Sequence, residues 1–193
     1  MKVQETNSDQ DLINKSLKKV KNDIVSASIP GDLRERLEQM VSQLEMARLA
    51  ETFLTDFQRT SHYIEWAINL PWENETNDNL DLGYARKVLD EGHYGLEQIK
   101  QRILEYLSVL ILQKQRNQDK AIRAPILCFV GLVGTGKTTI AQSIAKALGR
   151  RFIRIPFGGL GDPFYLRGQS RFHPYAEPGY IIKGLKTAGV KNP

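Results

Sequence analysis

Residues 125–139 read PILCFVGLVGTGKTT, and this stretch decides the fold expected for the chain. Its first six residues form an apolar run, which is typical of a strand buried on both faces of a parallel sheet. From Gly131 to Thr138 the sequence matches the pattern G-x-x-x-x-G-K-[ST] in full. Apolar residues at helical spacing follow from Ile140 to Leu148. The sequence therefore predicts a strand, a glycine-rich loop and a helix, in that order.

The glycine-rich loop predicts phosphate binding. Its glycines allow successive backbone N–H groups to point at phosphate oxygens, and the helix that follows adds the positive end of its dipole. Lys137 would reach the β- and γ-phosphates, and the Thr138 hydroxyl would be a ligand of Mg²⁺. We therefore expect ATP and Mg²⁺ as cofactors. The predicted nucleotide-binding residues of the loop are Gly131, Leu132, Val133, Gly134, Thr135, Gly136, Lys137, Thr138 and Thr139.

A second segment, residues 151–155 (RFIRI), predicts a second strand and completes a βαβ unit. Two strands do not make a full doubly wound sheet. Of 27 basic and 22 acidic side chains in the chain, residues 121–193 hold eleven basic but only two acidic ones, Asp162 and Glu177. Neither acid follows an apolar strand, where a Mg²⁺-binding carboxylate of an ATPase is expected. We therefore expect the chain to end before such a domain is complete.

Helices are expected before the loop. Apolar residues recur at helical spacing over residues 13–24 and 33–47, and Ile29-Pro30-Gly31 separates the two stretches. They predict a helical hairpin, with Asp32 as the cap of its second helix. A third helix is expected to stop at Leu70-Pro71, because the residue before a proline disfavours the helical region.

The middle of the chain starts with a polar stretch at residues 73–79, which predicts a linker. A short helix is expected over 81–89, a turn at 92–95 and a long amphipathic helix from Leu96. The fold class is then an N-terminal helical hairpin or bundle followed by an incomplete α/β domain with parallel strands and flanking helices. The predicted domains are residues 1–72, a linker at 73–80, and residues 81–193.

Composition excludes several protein classes. Hydrophobic residues make up 41% and charged residues 25% of the chain, close to the average of globular proteins. The single cysteine excludes an internal disulfide framework. No apolar run approaches the roughly 20 residues of a membrane helix, and the N-terminus does not read as a signal peptide. The expectation is a cytoplasmic protein that does not bind membranes.

Many short segments, in the same order, resemble the ATP-dependent Lon proteases, which carry an AAA+ module. The similarity runs from about residue 12 to the end of the chain. The segments that carry it are Glu65-Trp66, Leu70-Pro71-Trp72, Leu80-Asp81-Leu82, residues 89–96, residues 102–107, residues 125–138, Leu148-Gly149-Arg150, Gly184-Leu185-Lys186 and Lys191-Asn192-Pro193.

The resemblance implies a function for a larger protein. Such a protein unfolds misfolded or regulatory proteins with ATP and degrades them as a serine protease, usually as a homohexamer. In the family, the Walker B strand follows an Asn-Pro like Asn192-Pro193, and the proteolytic residues lie further on. We therefore expect this chain to bind ATP or ADP but to contain no catalytic residues. By itself it would lack proteolysis and efficient ATP hydrolysis.

The resemblance also implies roles for two further segments. The turn of His93, Tyr94, Gly95 and Leu96 would border the adenine ring, with Tyr94 against the base. Residues 168–179 are similar to the first pore loop, where an aromatic and an aliphatic residue grip unfolded substrate. Those two positions fall on His173 and Pro174, which departs from the family pattern, and Phe172 and Tyr175 are nearby alternatives.

Other functions stay open at this stage. The chain would alternatively be a stand-alone, degenerate relative that binds nucleotide or docks substrates without enzyme activity. A small-molecule kinase needs a lid and catalytic acids that the sequence does not show. Weak DNA binding is a further alternative from the basic C-terminal part, although no stripe of aromatic and basic residues supports it.

Overall fold

The computed structural model describes residues 2–50, 52–116, 126–159, 161–173 and 176–193, with side chains from residue 12 onward. The described residues form eight α-helices, α1 to α8. None of these helices is long and apolar enough to span a membrane.

The chain divides into two compact units. Unit 1 contains Met1–Asn74 and Arg154–Lys191, and unit 2 contains Glu75–Ile153 and Asn192–Pro193. The boundary after Asn74 lies at the start of the polar stretch from which a linker is predicted. The domain limits given above remain predictions from the sequence.

Three helices form most of unit 1, namely α1 (Lys2–Ser26), α2 (Gly31–Met46) and α3 (Phe53–Ile68). They confirm the helices predicted from apolar spacing. Their buried stripes meet in one core, because an amphipathic helix is stabilised by packing its apolar face. The buried residues of this core are Leu17, Ile24, Ile29, Leu37, Val41, Phe53, Ile64 and Ala67.

The start of α2 differs from the prediction. Asp32 was expected to cap this helix, but the cap residue is Pro30 and no side chain caps the helix. The helix begins one residue earlier, at Gly31, so Asp32 lies inside its first turn. There its carboxylate still interacts favourably with the positive end of the helix dipole.

The remainder of unit 1 contains the short helix α7 (Phe164–Arg167) and α8 (Tyr180–Ala188). Between them, Gly168 and Pro178 form an isolated antiparallel bridge. The bridge closes the 169–177 segment into a loop. Tyr165 of α7 and Tyr180 of α8 stack with their ring centroids 6.1 Å apart.

Unit 2 is built from α4 (Leu82–Gly92), α5 (Glu97–Arg116) and α6 (Lys137–Leu148). Asp81 caps α4 by accepting hydrogen bonds from the N–H groups of Gly83 and Tyr84. Gly149, with φ of 73°, ends α6 as predicted. The buried residues of this unit's core are Ala85, Val88, Leu89, Ile103, Leu107, Ile140 and Ala147.

The two predicted strands are not formed in the described part of the chain. Residues 126–130 and 151–155 are neither strands nor paired with each other, so the α/β arrangement is not confirmed. A strand forms only when its backbone groups pair with a neighbour, and the described residues supply no further strands. Ile126 and Val130 are consequently 95% and 93% exposed, and Cys128 in the same segment is also exposed.

Candidate functional site

The glycine-rich loop adopts a conformation that two of its glycines make possible. Gly134 and Gly136 both have φ of +82°, a region that residues with a side chain rarely adopt. Gly136 is the residue from which α6 begins, and Ile140 N–H donates to the Gly136 carbonyl at 2.9 Å. The loop therefore runs directly into the N-terminus of α6.

The backbone N–H groups from Val133 to Thr138 donate no hydrogen bond to any described residue. Unpaired N–H groups ahead of a helix create a positive potential and accept anions. A loop with successive unpaired amides therefore fits a chain of phosphate groups. All residues of this segment except Gly136 and Lys137 are exposed, so a ligand reaches them from solvent.

Lys137, the first residue of α6, folds back onto the loop. Its Nζ donates to the carbonyl oxygen of Gly131 at 2.9 Å and also to that of Leu132. A third, longer contact of 3.4 Å joins it to the Thr135 hydroxyl. An ammonium group has three donors, so Lys137 must release at least one of these contacts to bind a phosphate. The Lys137 ammonium group nevertheless already lies against the loop, beside Gly131, Leu132 and Thr135.

The two threonines after Lys137 differ. Thr139 Oγ donates to the Gly136 carbonyl at 2.7 Å and so closes the first turn of α6. The Thr138 hydroxyl is exposed and has no partner in the described part of the chain. Thr138 is therefore the hydroxyl that a cation at the phosphates would meet, and Thr139 supports the loop.

The described residues contain no group of three or more His, Cys, Asp or Glu side chains that could hold a metal ion. Asp162 accepts from the N–H of Phe164 at 2.9 Å. Glu177 pairs with Lys183 at 3.0 Å and with His62 at 3.8 Å. Both acids of the basic C-terminal part thus have local partners.

The predicted turn at residues 93–96 lies between α4 and α5 and contacts α6. His93 Nε2 and Ser143 Oγ are 2.9 Å apart and form a hydrogen bond. Tyr94, the predicted neighbour of the base, is fully exposed, while Gly95 and Leu96 have φ of +67° and +59°. The structure thus brings this turn and the helix of the glycine-rich loop together within unit 2.

The predicted pore-loop residues lie in the 168–179 segment of unit 1. Phe172 is 72% exposed, and the guanidinium carbon of Arg171 lies 5.0 Å from the centre of its ring. His173 lines a cavity together with Trp66 and Trp72. Pro174 and Tyr175 lie outside the described residues.

Three side chains whose contacts hold the segments of unit 2 together were not predicted from the sequence. Ser143 anchors the 93–96 turn, Lys100 is a buried ammonium between Asp90 and Glu97, and Asp78 binds Arg150. The spacing of Glu97 and Lys100 was a usable signal, because side chains three residues apart on a helix are neighbours. The partners of Ser143 and Asp78 are distant in sequence and gave no such signal.

Comparison with known proteins gives one family match and many relatives. Residues 127–179 match the family "ATPase family associated with various cellular activities (AAA)". A Lon protease of Roseiflexus castenholzii is 46% identical over 169 residues, covering 87% of this chain and 21% of the relative. One of Endomicrobium trichonymphae is 42% identical over 189 residues, covering 98% of this chain and 22% of the relative. Lon protease 1 of Bacillus subtilis is 51% identical over 132 residues, covering 68% and 16%.

The similarity to Lon proteases thus extends over both units, and the ATPase-family match includes the whole glycine-rich loop. The chain spans about a fifth of the length of the curated relatives it matches. On this agreement between loop geometry, family match and relatives, the chain belongs to the Lon protease family.

Proposed function

We propose that this chain binds Mg-ATP and forms the nucleotide-binding part of an ATP-dependent, Lon-like protease. The family match implies a nucleotide ligand. The choice of ATP with Mg²⁺ is supported by the G-x-x-x-x-G-K-[ST] loop, which suits a phosphate chain with a bound cation.

The observation that carries the proposal is the run of unpaired N–H groups from Val133 to Thr138, placed where α6 begins. These donors are open to solvent, and the first N–H groups of a helix have no partner within the helix, so they are available to an anion. Here the positive φ of Gly134 and Gly136 holds the loop open toward solvent. In a turn with only a structural role, we would expect the backbone N–H groups to donate to carbonyl groups of the same turn.

Each residue of the site then has a role. The amides of residues 131–136 bind phosphate oxygens, and Lys137 moves from the Gly131 and Leu132 carbonyls to the β- and γ-phosphates. Thr138 offers its hydroxyl to Mg²⁺, which neutralises phosphate charge when bound. The 93–96 turn borders the base, with the exposed Tyr94 ring free to lie against it.

The whole protein, on this proposal, is a cytoplasmic homohexamer that unfolds protein substrates with ATP and degrades them. This chain alone has neither proteolysis nor efficient ATP turnover. Its two acids after the loop are engaged with Phe164, Lys183 and His62, and none of these contacts is part of a metal site. Pore-loop function of residues 172–175 and weak DNA binding remain predictions.

Isothermal titration with Mg-ATP tests the proposal. Replacement Lys137→Ala removes a charge-assisted contact and should weaken binding by about 1.5–3 kcal/mol. Lys146→Ala is the matched control, because Lys146 lies exposed in the last turn of the same helix and makes no ion pair with a described residue. Equal affinities of wild type and Lys137→Ala, or no binding by wild type, would contradict nucleotide binding at this loop.

A second candidate function is the docking of polypeptide substrates on unit 1. A cavity of about 670 Å³ lies beside α3, with Tyr63, Trp66 and Trp72 in its walls. Arg171 at its rim contacts the Tyr63 and Phe172 rings and the Met40 sulfur but pairs with no described carboxylate. An aromatic pocket with a guanidinium that pairs with no described carboxylate suits a hydrophobic peptide segment that carries a carboxylate.

Tryptophan fluorescence tests this second function directly, since both tryptophans of the chain line the cavity. A peptide with hydrophobic and acidic residues should change the emission in a saturable way, and Arg171→Gln should weaken the response. A peptide in which amides replace the acidic groups is the control. Unchanged emission at millimolar peptide would rule out docking in this cavity.

A further inference from the structure

The turn between α4 and α5 is held against α6 by one side-chain contact. The hydrogen bond between His93 Nε2 and Ser143 Oγ is 2.9 Å long. Gly92 makes this approach possible, because a Cβ at this position would lie only 3.2 Å from the Ser143 hydroxyl. A Cβ at position 92 would therefore require the Ser143 hydroxyl or the helices to shift by a few tenths of an ångström.

The same turn contains a costly backbone conformation. Leu96 has φ of +59° and is the only non-glycine residue with positive φ in the part of the chain that the structure describes. Its carbonyl accepts the N–H groups of Ile99 and Lys100 at 2.9 and 3.0 Å and so starts α5. Left-handed backbone at a leucine is unfavourable by itself, so the surrounding contacts must hold it.

Lys100 supplies contacts on the other side of the turn. Its side chain is buried, and its Nζ lies 2.8 Å from Asp90 Oδ1 and 3.4 Å from Glu97 Oε1. Asp90 belongs to α4 and Glu97 to α5, so the ammonium group joins the two helices that flank the turn. The hydrogen bond to Asp90 raises the pKa of Lys100, and the same bond lowers the pKa of Asp90. Both groups are therefore charged at neutral pH.

These contacts fix the turn relative to the glycine-rich loop. Ser143 follows Lys137 by six residues, which is about 9 Å along the axis of α6. A helix of this length is rigid, so the hydrogen bond of Ser143 sets where the turn lies along it. Tyr94, next to His93, keeps its ring exposed while the backbone on both sides is anchored.

We propose that Ser143 and Lys100 are positioning residues, which hold the 93–96 turn at the distance from the glycine-rich loop that a bound nucleoside triphosphate requires. This inference rests on the proposed function and adds to it the side chains that hold the nucleoside-binding turn in place. The two residues touch neither phosphates nor base. They lower the entropic cost of nucleotide binding, because the turn is already ordered in the free protein.

Binding of two ligands separates this role from general stabilisation. Mg-ATP contacts both loop and turn, whereas Mg-tripolyphosphate, which has no nucleoside, contacts the loop alone. Titrations should show that Ser143→Ala and Lys100→Met weaken Mg-ATP by about threefold to tenfold, the scale of one hydrogen bond. Their affinity for Mg-tripolyphosphate should stay at the wild-type value.

Further variants control for folding. Ser108→Ala is the matched serine control, because Ser108 Oγ donates only to the Leu104 carbonyl of its own helix at 2.8 Å. Should Lys100→Met fail to fold, Asp90→Asn keeps the side-chain size and weakens the same ion pair.

Three outcomes distinguish the possibilities. Loss of Mg-ATP affinity alone supports the positioning role. Equal losses for both ligands would mean that the two residues only stabilise the fold, and unchanged Mg-ATP affinity in Ser143→Ala would mean that Ser143 does not position the turn. Either result would overturn the positioning role, but neither would refute nucleotide binding at the loop. Absence of binding of either ligand to the wild-type chain would instead refute the proposed function itself.

Discussion

Asp78 and Arg150 form a two-pronged ion pair, in which Nε and Nη2 of the guanidinium lie 2.7 and 2.9 Å from the two carboxylate oxygens. Lys114 adds a third contact of 3.0 Å, and the Asp78 side chain is only 9% exposed. One residue on, the N–H of Asn79 donates to the Leu148 carbonyl at 2.9 Å. Asp78 and Asn79 of the polar stretch at residues 73–79 are therefore bound to residues at the end of α6.

Asp78→Asn should destabilise unit 2 by about 1–3 kcal/mol, because it leaves a part-buried guanidinium without its charged partner. Both tryptophans lie in unit 1, so the measurement is hydrogen exchange of the α6 amides. Glu91→Gln is the control, since Glu91 is exposed and lies 3.9 Å from Lys87. Unchanged exchange in Asp78→Asn would show that the ion pair does not stabilise this helix.

The same ion pair predicts a pH dependence. The hydrogen bonds from Arg150 lower the pKa of Asp78 below its ordinary value of 3.8, against the opposing effect of burial. A carboxylate with a lowered pKa stabilises the folded state fully above the ordinary value, and this stabilisation is lost as the pH falls through the lower, folded-state value. The difference in α6 exchange free energy between wild type and Asp78→Asn should be constant from pH 7 to about 5. Below pH 4 it should shrink, and a difference that grows there would contradict this assignment.

Gly136→Ala should impair both α6 and nucleotide binding. The φ of +82° is strained for alanine, and the new Cβ would lie 3.1 Å from the Thr139 hydroxyl that bonds the Gly136 carbonyl. We expect a loss of about 1–2 kcal/mol in stability and at least tenfold weaker Mg-ATP binding. Gly161→Ala is the control, as no atom lies within 4 Å of its Cβ position. Wild-type affinity in Gly136→Ala would show that the left-handed conformation is not needed for binding.

The helices of this chain were predictable because their signal is local. Apolar residues such as Leu17, Ile24 and Leu37 recur at the helical period, and the same residues are buried in the core. Gly149 ends α6 through a backbone conformation that glycine alone adopts easily. Such features depend on neighbours within a few residues. Only fine boundaries were wrong, as at Asp32, which lies inside its helix instead of capping it.

The strands and the supporting contacts were not predictable in the same way. An apolar run such as residues 126–130 specifies a strand only if partners exist to pair with it, and no described segment pairs there. The glycine-rich loop before α6 was predictable from its glycines and Lys137, because the motif is contiguous, and its phosphate binding stays a prediction. The anchors of the neighbouring turn were not predictable, since His93 and Ser143 are fifty residues apart and polar side chains carry no periodic signal.

The loop at residues 169–177 depends on a backbone contact that only glycine permits. A Cβ on Gly179 would lie 2.0 Å from the Leu166 carbonyl oxygen, and one on Gly168, where φ is +83°, would lie 2.7 Å from the Gly179 nitrogen. We call the place where the two ends of this loop meet the neck. There the N–H of Gln169 donates to the Glu177 carbonyl at 3.2 Å. The two backbone segments that meet at Gly168 and Gly179 must therefore separate if either glycine gains a side chain.

Gly179→Ala should open this neck at a cost of about 1–3 kcal/mol, the usual range for overpacking. Hydrogen exchange of the Gln169 amide should accelerate, and tryptophan emission should shift because Trp66 and Trp72 line the cavity beside the loop. Gly161→Ala, which meets no atom, should change neither. Since the predicted pore-loop residues lie in this loop, polypeptide binding should weaken in Gly179→Ala while Mg-ATP affinity stays at the wild-type value. Parallel loss of both would mean that the two sites are coupled and not separately folded.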